Sequence, residues 1–385
     1  MEPFSELVDR RHQGYSLKWQ GPAIDDETIP LDIADMDFRC ARPIRSALLA
    51  VLSHGIFGYS TTADDYEQAI VNWFRRRHGW QVKGEEIIPV AGTGNGLKEL
   101  IFALTEPGDG VLIQRPVYSH LTSVIQWSGR RVINNQLVRE ANYYRMDLAD
   151  LAKKASLPET KLMIICHPHD PVGRVWQVEE LQAVSRICRQ QGVILVAEET
   201  QGELVRQGIE FHPMATIADR TNLISLTSVS KAFNLAGLQG ANLIVQDEAL
   251  RERLREKMSV HLPSPFTIGA VMAAYNESEA WLDRLNLYLD ETIDWVIRFL
   301  ARKLPLVRTF RPEGTYVLWL DFQGYGLTPD EIHRRIYQYA GVLLEWGTVS
   351  DPDKGHLFER VCLAAPRSRI ETAFERLAIE FDEDF

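Results

Sequence analysis

The chain has 385 residues, 45% hydrophobic and 25% charged, with a formal net charge of −11 and a pI near 5.5. This is globular composition with enough length for a large core and a second, smaller one, and the acidic balance gives no footing for nucleic acid. Met1 to Arg11 is charged and lacks an apolar centre, so it does not read as a signal peptide, and no apolar run approaches the roughly 20 residues needed to cross a bilayer. Cys40, Cys166, Cys188 and Cys362 are scattered without CxxC spacing, which points to free thiols in a reducing cytoplasm and away from a zinc site.

In chain order, residues 1 to about 30 read as an extended polar arm, followed by the turn-rich stretch Ile29 to Phe38 with its alternating acids. Pro43–Leu52 and Asp64–Arg77 read as helices on either side of the loop Gly55 to Ser60. Glu86–Ala91 reads as a strand that runs through Gly92-Thr93-Gly94-Asn95-Gly96 into a helix from Leu97 to Leu104. A glycine-rich turn there presents backbone N–H groups at the positive end of a helix, a seat for a phosphate. It is neither a Walker loop nor GxGxxG, because no Gly-Lys-Ser/Thr follows and the glycine spacing differs.

Gly110–Gln114, Lys161–Cys166, Val193–Ala197, Asn222–Thr227 and Ala241–Val245 read as buried strands, with a helix at Val178–Gln191. Strands alternating with helices at this spacing predict an α/β fold with a mostly parallel sheet covered on both faces. Ligands of such sheets bind beyond the carboxyl ends of the strands. Tyr118, Asp170, Glu198 and Lys231 all fall just past those ends. Lys231 follows a buried strand and is flanked by Ser228 and Ser230, so desolvation would free its amine as a nucleophile, and the hydroxyls suit a phosphate. That is the description of a lysine that binds pyridoxal phosphate (PLP) covalently. A surface lysine in a Ser-rich turn is the plain alternative.

Beyond Gln246, helices at Glu248–Met258, Thr267–Tyr275 and Glu277 to about Leu304 precede a smaller α+β unit. That unit includes Thr315–Asp321, Pro329–Ala340, Arg360–Leu363 and a final amphipathic helix after Ala365-Pro366-Arg367-Ser368. The expected organisation is a large domain at 46–279 and a small domain made of 1–45 and 280–385, joined by the long helix.

Several segments resemble fold-type-I PLP enzymes, the class I/II aminotransferase family, and within it the cystathionine β-lyase (carbon–sulfur lyase) branch. They are Ala34-Asp35-Met36-Asp37-Phe38, Gly58-Tyr59-Ser60, Arg115-Pro116-Val117-Tyr118, Pro168 to Trp176, Ser228 to Leu238, and Ala365 to Ser368. The resemblance runs from about residue 30 to the C-terminus. It implies that Lys231 holds PLP and then moves the substrate Cα proton, and that Tyr118 stacks on the cofactor ring. It implies a phosphate site from Gly92, Thr93, Ser228 and Ser230, with Tyr59 reaching in from the other subunit of a homodimer. Arg367 would grip the substrate α-carboxylate, and Asp35 would lie at the substrate. The implied function is cleavage of cystathionine or a cysteine S-conjugate to thiol, pyruvate and ammonia. An aminotransferase using the same residues and a non-catalytic protein of the same fold are the alternatives.

The chain departs from the family at four places. Asp170 stands where Asn usually donates to the cofactor's ring oxygen, and an ionised Asp cannot donate. Glu198 stands where an Asp keeps the pyridine nitrogen protonated. Gln201 replaces a His, and Cys362 an Asn. A metal site from His167, His169, Asp170 and Glu198 is disfavoured, because histidines in a Pro-rich turn more often pack and hydrogen-bond.

Overall fold

The computed structural model describes residues 4–21, 25–141 and 143–382. Residues 1–3 and 22–24 of the expected arm lie outside the described residues. The core element is a seven-stranded sheet. We label its strands in chain order: β1 Ile87–Ala91, β2 Gly110–Ile113, β3 Arg131–Asn134, β4 Thr160–Cys166, β5 Ile194–Glu198, β6 Leu223–Ser228 and β7 Gly240–Ile244. Their spatial order is β1-β7-β6-β5-β4-β2-β3. Only β7 runs antiparallel to its neighbours, so β1 through β6 point the same way and end along one edge. β2, β6 and β7 are buried at every position, the continuous apolar pattern of a sheet covered on both faces.

A second core gathers Ile29 and Leu31 with residues between Ile293 and Phe381. It contains a three-stranded antiparallel sheet of Val317–Asp321, Phe358–Cys362 and Glu345–Trp346. The helix Glu279–Lys303 serves both cores: Trp281, Leu285 and Tyr288 pack into the first, and Ile293, Val296 and Phe299 into the second.

Several elements differ from the sequence reading. The helix Gly92–Leu104 starts at the first glycine, where Leu97 was expected, so its glycine run forms the first turn. A Cβ on Gly94 would lie 2.5 Å from His120 Nε2, so any larger residue there would displace that exposed ring. The helix Ser119–Trp127 was not expected, because Thr122, Ser123, Val124 and Ile125 have weak helix propensity. Burial of Leu121, Val124 and Ile125 at helical spacing overrides it.

The arm is anchored at both of its described ends. Phe4 is buried against Phe38, Trp281 and Tyr288. Farther along, the buried carboxylate of Asp37 gathers Arg10 at 2.8 Å, Lys18 at 3.2 Å, Arg369 at 3.1 Å and the Trp19 indole N–H at 2.8 Å. Burial alone would raise the Asp37 pKa, but Lys18, Trp19, Arg369 and Arg10 together hold it below the usual carboxylate range.

Removing one partner of a buried ion pair leaves the other uncompensated. Asp37→Ala is therefore expected to lower the unfolding free energy by about 3–5 kcal/mol in urea titration. The Asp37 contribution is present above the unfolded pKa and is lost as pH falls through the depressed folded value, so the variant and parent should converge in stability in acid.

Candidate active site

The carboxyl edge of the sheet opens into a cleft of about 650 Å³. Tyr118, Asp170, Glu198 and Lys231 line it together with Gly92, Thr93, Ser230, Thr200, Gln201, Glu345 and Arg360. Strand register explains the convergence: Cys166 of β4 lies opposite Glu198 of β5, and Glu198 opposite Leu226 of β6. A larger depression of about 830 Å³, walled by Arg139, Tyr144, Trp319 and Phe358, contains none of the sequence-predicted site residues.

At one end of the cleft, the helix Gly92–Leu104 begins without a side-chain cap and without an acidic residue in its first turn. Its leading N–H groups have no intrahelical partner and carry the positive end of the helix dipole, which suits an anion.

Lys231 Nζ donates to the Ala34 carbonyl at 2.7 Å. Burial, opposed by the nearby Asp170, lowers its pKa. That is the direction that makes a neutral amine accessible. The same Ala34 carbonyl also accepts from the Tyr316 hydroxyl at 3.0 Å, so the lysine is not its sole partner.

Glu198 ends β5 fully buried. Its Oε1 accepts from the Thr200 hydroxyl and, at 3.2 Å, from the Thr200 N–H, while Oε2 accepts from Cys166 Sγ at 3.2 Å. Burial pushes its carboxyl up in spite of these donors. The Tyr118 hydroxyl lies in the interior beside Glu198 with no well-aligned hydrogen-bond partner, and burial, then the Glu198 charge, holds its pKa well above the phenol value.

Asp170 accepts from Arg360 Nη1 at 3.1 Å and from Gln201 Nε2 at 3.1 Å. Arg360 also pairs with Glu345 at 2.8 Å and donates to the Asp32 carbonyl at 2.9 Å. Its Nε, like Gln201 Oε1, is buried without a partner. These orphaned polar atoms and the uncapped helix start fit a flat heterocycle that carries polar substituents and a phosphate, as PLP does.

Three residues expected in the cleft are not among those lining it. Arg367 begins the last helix with its guanidinium on the Thr292 hydroxyl, at 3.0 Å from Nη2, and 5.7 Å from the Trp295 ring centre. The helix face it occupies turns it towards the long helix. Asp35 pairs with Arg10 at 2.7 Å. The Ser228 hydroxyl donates to the Gly240 carbonyl at 2.7 Å and accepts the Ser230 N–H at 3.0 Å, so it braces the turn before Lys231. Tyr59, expected to reach the phosphate site of the other subunit, is fully exposed. Arg360 and Glu345 were missed as site residues, since Arg360 read only as part of a strand. A charged residue in a strand buried at all five positions was the available signal, because such a charge demands partners.

His169 Nε2 lies 2.8 Å from the Pro116 carbonyl oxygen and His167 Nε2 3.2 Å from that of His212. Burial lowers their pKa values to about 4 and about 3, so both are neutral packing groups. Among the described residues no group of three or more His, Cys, Asp or Glu could hold a metal ion, and no helix is long and apolar enough to cross a membrane.

The family model for aminotransferase class I and II matches residues 26–377. The cystathionine beta-lyase PatB of Bacillus subtilis is 34% identical over 356 residues, covering 91% of this chain and 92% of that protein. The crystal structure of cystalysin from Treponema denticola, which contains a pyridoxal 5'-phosphate cofactor, superposes with a TM-score of 0.94 at 30% identity, over 99% of this chain and 98% of that one. The PLP-bound C–S lyase of Staphylococcus hominis, in complex with L-cycloserine, gives 0.92 at 28% identity over 99% of both chains.

Because the buried Tyr118 hydroxyl has only Glu198 beside it and no well-aligned hydrogen-bond partner, Tyr118→Phe should leave the unfolding free energy of the cofactor-free protein within about 1 kcal/mol of the parent, or raise it. Urea denaturation after removal of bound cofactor reads this, and a larger loss would mean the hydroxyl is satisfied.

Proposed function

The chain belongs to the class I and II aminotransferase family, and we propose that within it the protein is a PLP-dependent carbon–sulfur β-lyase acting on cystathionine or a cysteine S-conjugate. The observation that carries this reading is one half-buried amine, Lys231, hydrogen-bonded at the carboxyl edge of the sheet in a cleft that also holds an uncapped helix start and, among the described residues, a single arginine. When bound, PLP supplies an electron-withdrawing ring that acidifies the substrate Cα–H bond.

The residues divide the remaining work. Gly92, Thr93 and Ser230 receive the phosphate, the first two through the helix start. Tyr118 provides a flat wall for the ring. Glu198 places a carboxyl at the ring's far edge, where an ionised group favours a protonated pyridine nitrogen. Lys231 Nζ takes the Cα proton, and the electron pair of that bond expels the β-sulfur as thiolate. The released enamine hydrolyses to pyruvate and ammonia. Arg360, the only guanidinium lining the cleft among the described residues, takes the α-carboxylate role that the family resemblance implied for Arg367.

The assembly we infer is a homodimer in the cytoplasm. The exposed Leu49, Leu52, Ile56, Phe57, Tyr59 and Val260 support a covered face that brings Tyr59 to the partner's phosphate seat.

Lys231→Ala should abolish both the visible absorption of bound PLP and pyruvate release from L-cystathionine, with the fold intact by circular dichroism. Retained turnover removes Lys231 from its role, and amino transfer dependent on a keto acid without thiol release makes the protein an aminotransferase. Arg360→Gln should lower kcat/KM for L-cystathionine by about tenfold or more, the scale of one charge-assisted pair. Arg367→Gln should change it less than about twofold. The reverse order would restore Arg367 as the carboxylate receptor.

A further inference from the structure

Arg360 is already occupied by two anions. Glu345 and Arg360 are directly opposed in the antiparallel pairing of their strands, and their side chains meet at 2.8 Å. Asp170 holds the other terminal nitrogen at 3.1 Å. All three side chains line the cleft. One cation therefore faces two carboxylates where an incoming third would have to bind. The two competitors are not equally tied. Asp170 is also held by Gln201 at 3.1 Å and is almost wholly buried. Glu345 has only a 3.5 Å contact from the Ser350 hydroxyl besides Arg360, and 19% of its side chain is exposed. It sits on a strand of two residues at the edge of its sheet.

We propose that Glu345 is a specificity-determining residue that occupies on Arg360 the place of a substrate carboxylate and must be displaced before one can bind. The proposal rests on the assignment of Arg360 as the α-carboxylate receptor. Its consequence is discrimination: a free carboxylate gains less here than at an unpaired arginine, and a second anionic group near the first is repelled by Asp170 and Glu345 together.

Displacement also moves a proton. The groups facing Glu345 are Arg360 on the neighbouring strand, Asp170 beyond β4, Asp32 on the N-terminal segment, and Tyr337 and Ser350 nearby. Of these only Arg360 is cationic. Burial already raises the Glu345 pKa against the pull of Arg360, and loss of that pull to a substrate carboxylate raises it further. Carboxylate binding is then linked to proton uptake, so affinity falls as pH rises from the Glu345 pKa of the free protein to its raised value in the complex, and is level above that.

The test uses holoenzyme and isothermal titration calorimetry with L-alanine and L-alaninamide, which share an α-amine, lack a β leaving group and differ in the carboxylate. The ratio of their dissociation constants isolates the carboxylate's share of binding. Glu345→Gln is expected to raise the preference for alanine by about tenfold, the scale of one charge-assisted pair. Titration of the wild type with alanine in buffers of different ionisation enthalpy should show proton uptake that the variant lacks, measured at the same pH so that the ligand amine cancels. An unchanged or reduced preference in the variant, or uptake that persists in it, overturns the proposal. Arg360→Gln separates the two levels of the argument. If it collapses the preference while Glu345→Gln changes nothing, only the role of Glu345 fails. If it leaves the preference unchanged, the assignment of Arg360 fails and takes the proposal with it.

Discussion

The buried pair between Arg360 and Asp170 joins the two cores and shapes the cleft between them. Arg360 comes from a strand of the small core, and Asp170 from the turn after β4 of the large sheet. Desolvating two charges costs several kcal/mol per ion, and their attraction offsets this only when further hydrogen bonds complete both groups. Here Gln201, Glu345 and the Asp32 carbonyl supply most of those bonds, leaving Arg360 Nε unpartnered. The Asp32 carbonyl belongs to the segment that continues into Ala34, whose own carbonyl receives Lys231. One electrostatic cluster thus sets where the small core, the N-terminal segment and the sheet edge meet. The reactive amine inherits its position from that meeting.

The same cluster removes a difficulty raised by the sequence. An ionised Asp170 cannot donate a hydrogen bond, and by itself it would set a bare anion in the cleft. In the structure both of its oxygens accept bonds, one from a cation and one from the side-chain amide of Gln201. Gln201 stands where the family pattern has His. An amide N–H donates whatever the pH, whereas an imidazole changes its role as it titrates. Asp170 and Gln201 therefore read as one matched pair of departures.

The sheet was legible because its strands are short apolar runs punctuated by turn chemistry, and a parallel sheet buried on both faces leaves that pattern. Tyr118, Asp170, Glu198 and Lys231 were legible for the same reason, since each stands where such a run stops. Arg360 was not, because it lies within a strand, and strand periodicity says which face a side chain takes but not what waits there. Arg367 was implied by the resemblance that Ala365 to Ser368 carries, yet one helical turn decides between the cleft and Thr292, and only packing fixes that turn. The helix Ser119–Trp127 was hidden by its β-branched residues, whose weak propensity is outweighed by tertiary burial.

The arm shows how far the site reaches into the chain. Asp37 draws Arg10, Lys18 and Arg369 onto one carboxylate, and Asp35 takes the second contact of Arg10. Around these two acids the cations number three, so the cluster is over-compensated and holds its segment by charge as well as by packing. Arg369 comes from the last helix, Arg10 and Lys18 from the arm, and the acids from the stretch between, so three distant parts of the sequence converge there. That stretch carries the Ala34 carbonyl to Lys231, and its neighbour Ile33 lines the cleft. Cleft geometry at Lys231 is thereby set by residues that never touch the cleft. The acidic composition of the whole chain hides this, because the excess of positive charge is local, gathered around the buried Asp37, and net charge carries no information about placement.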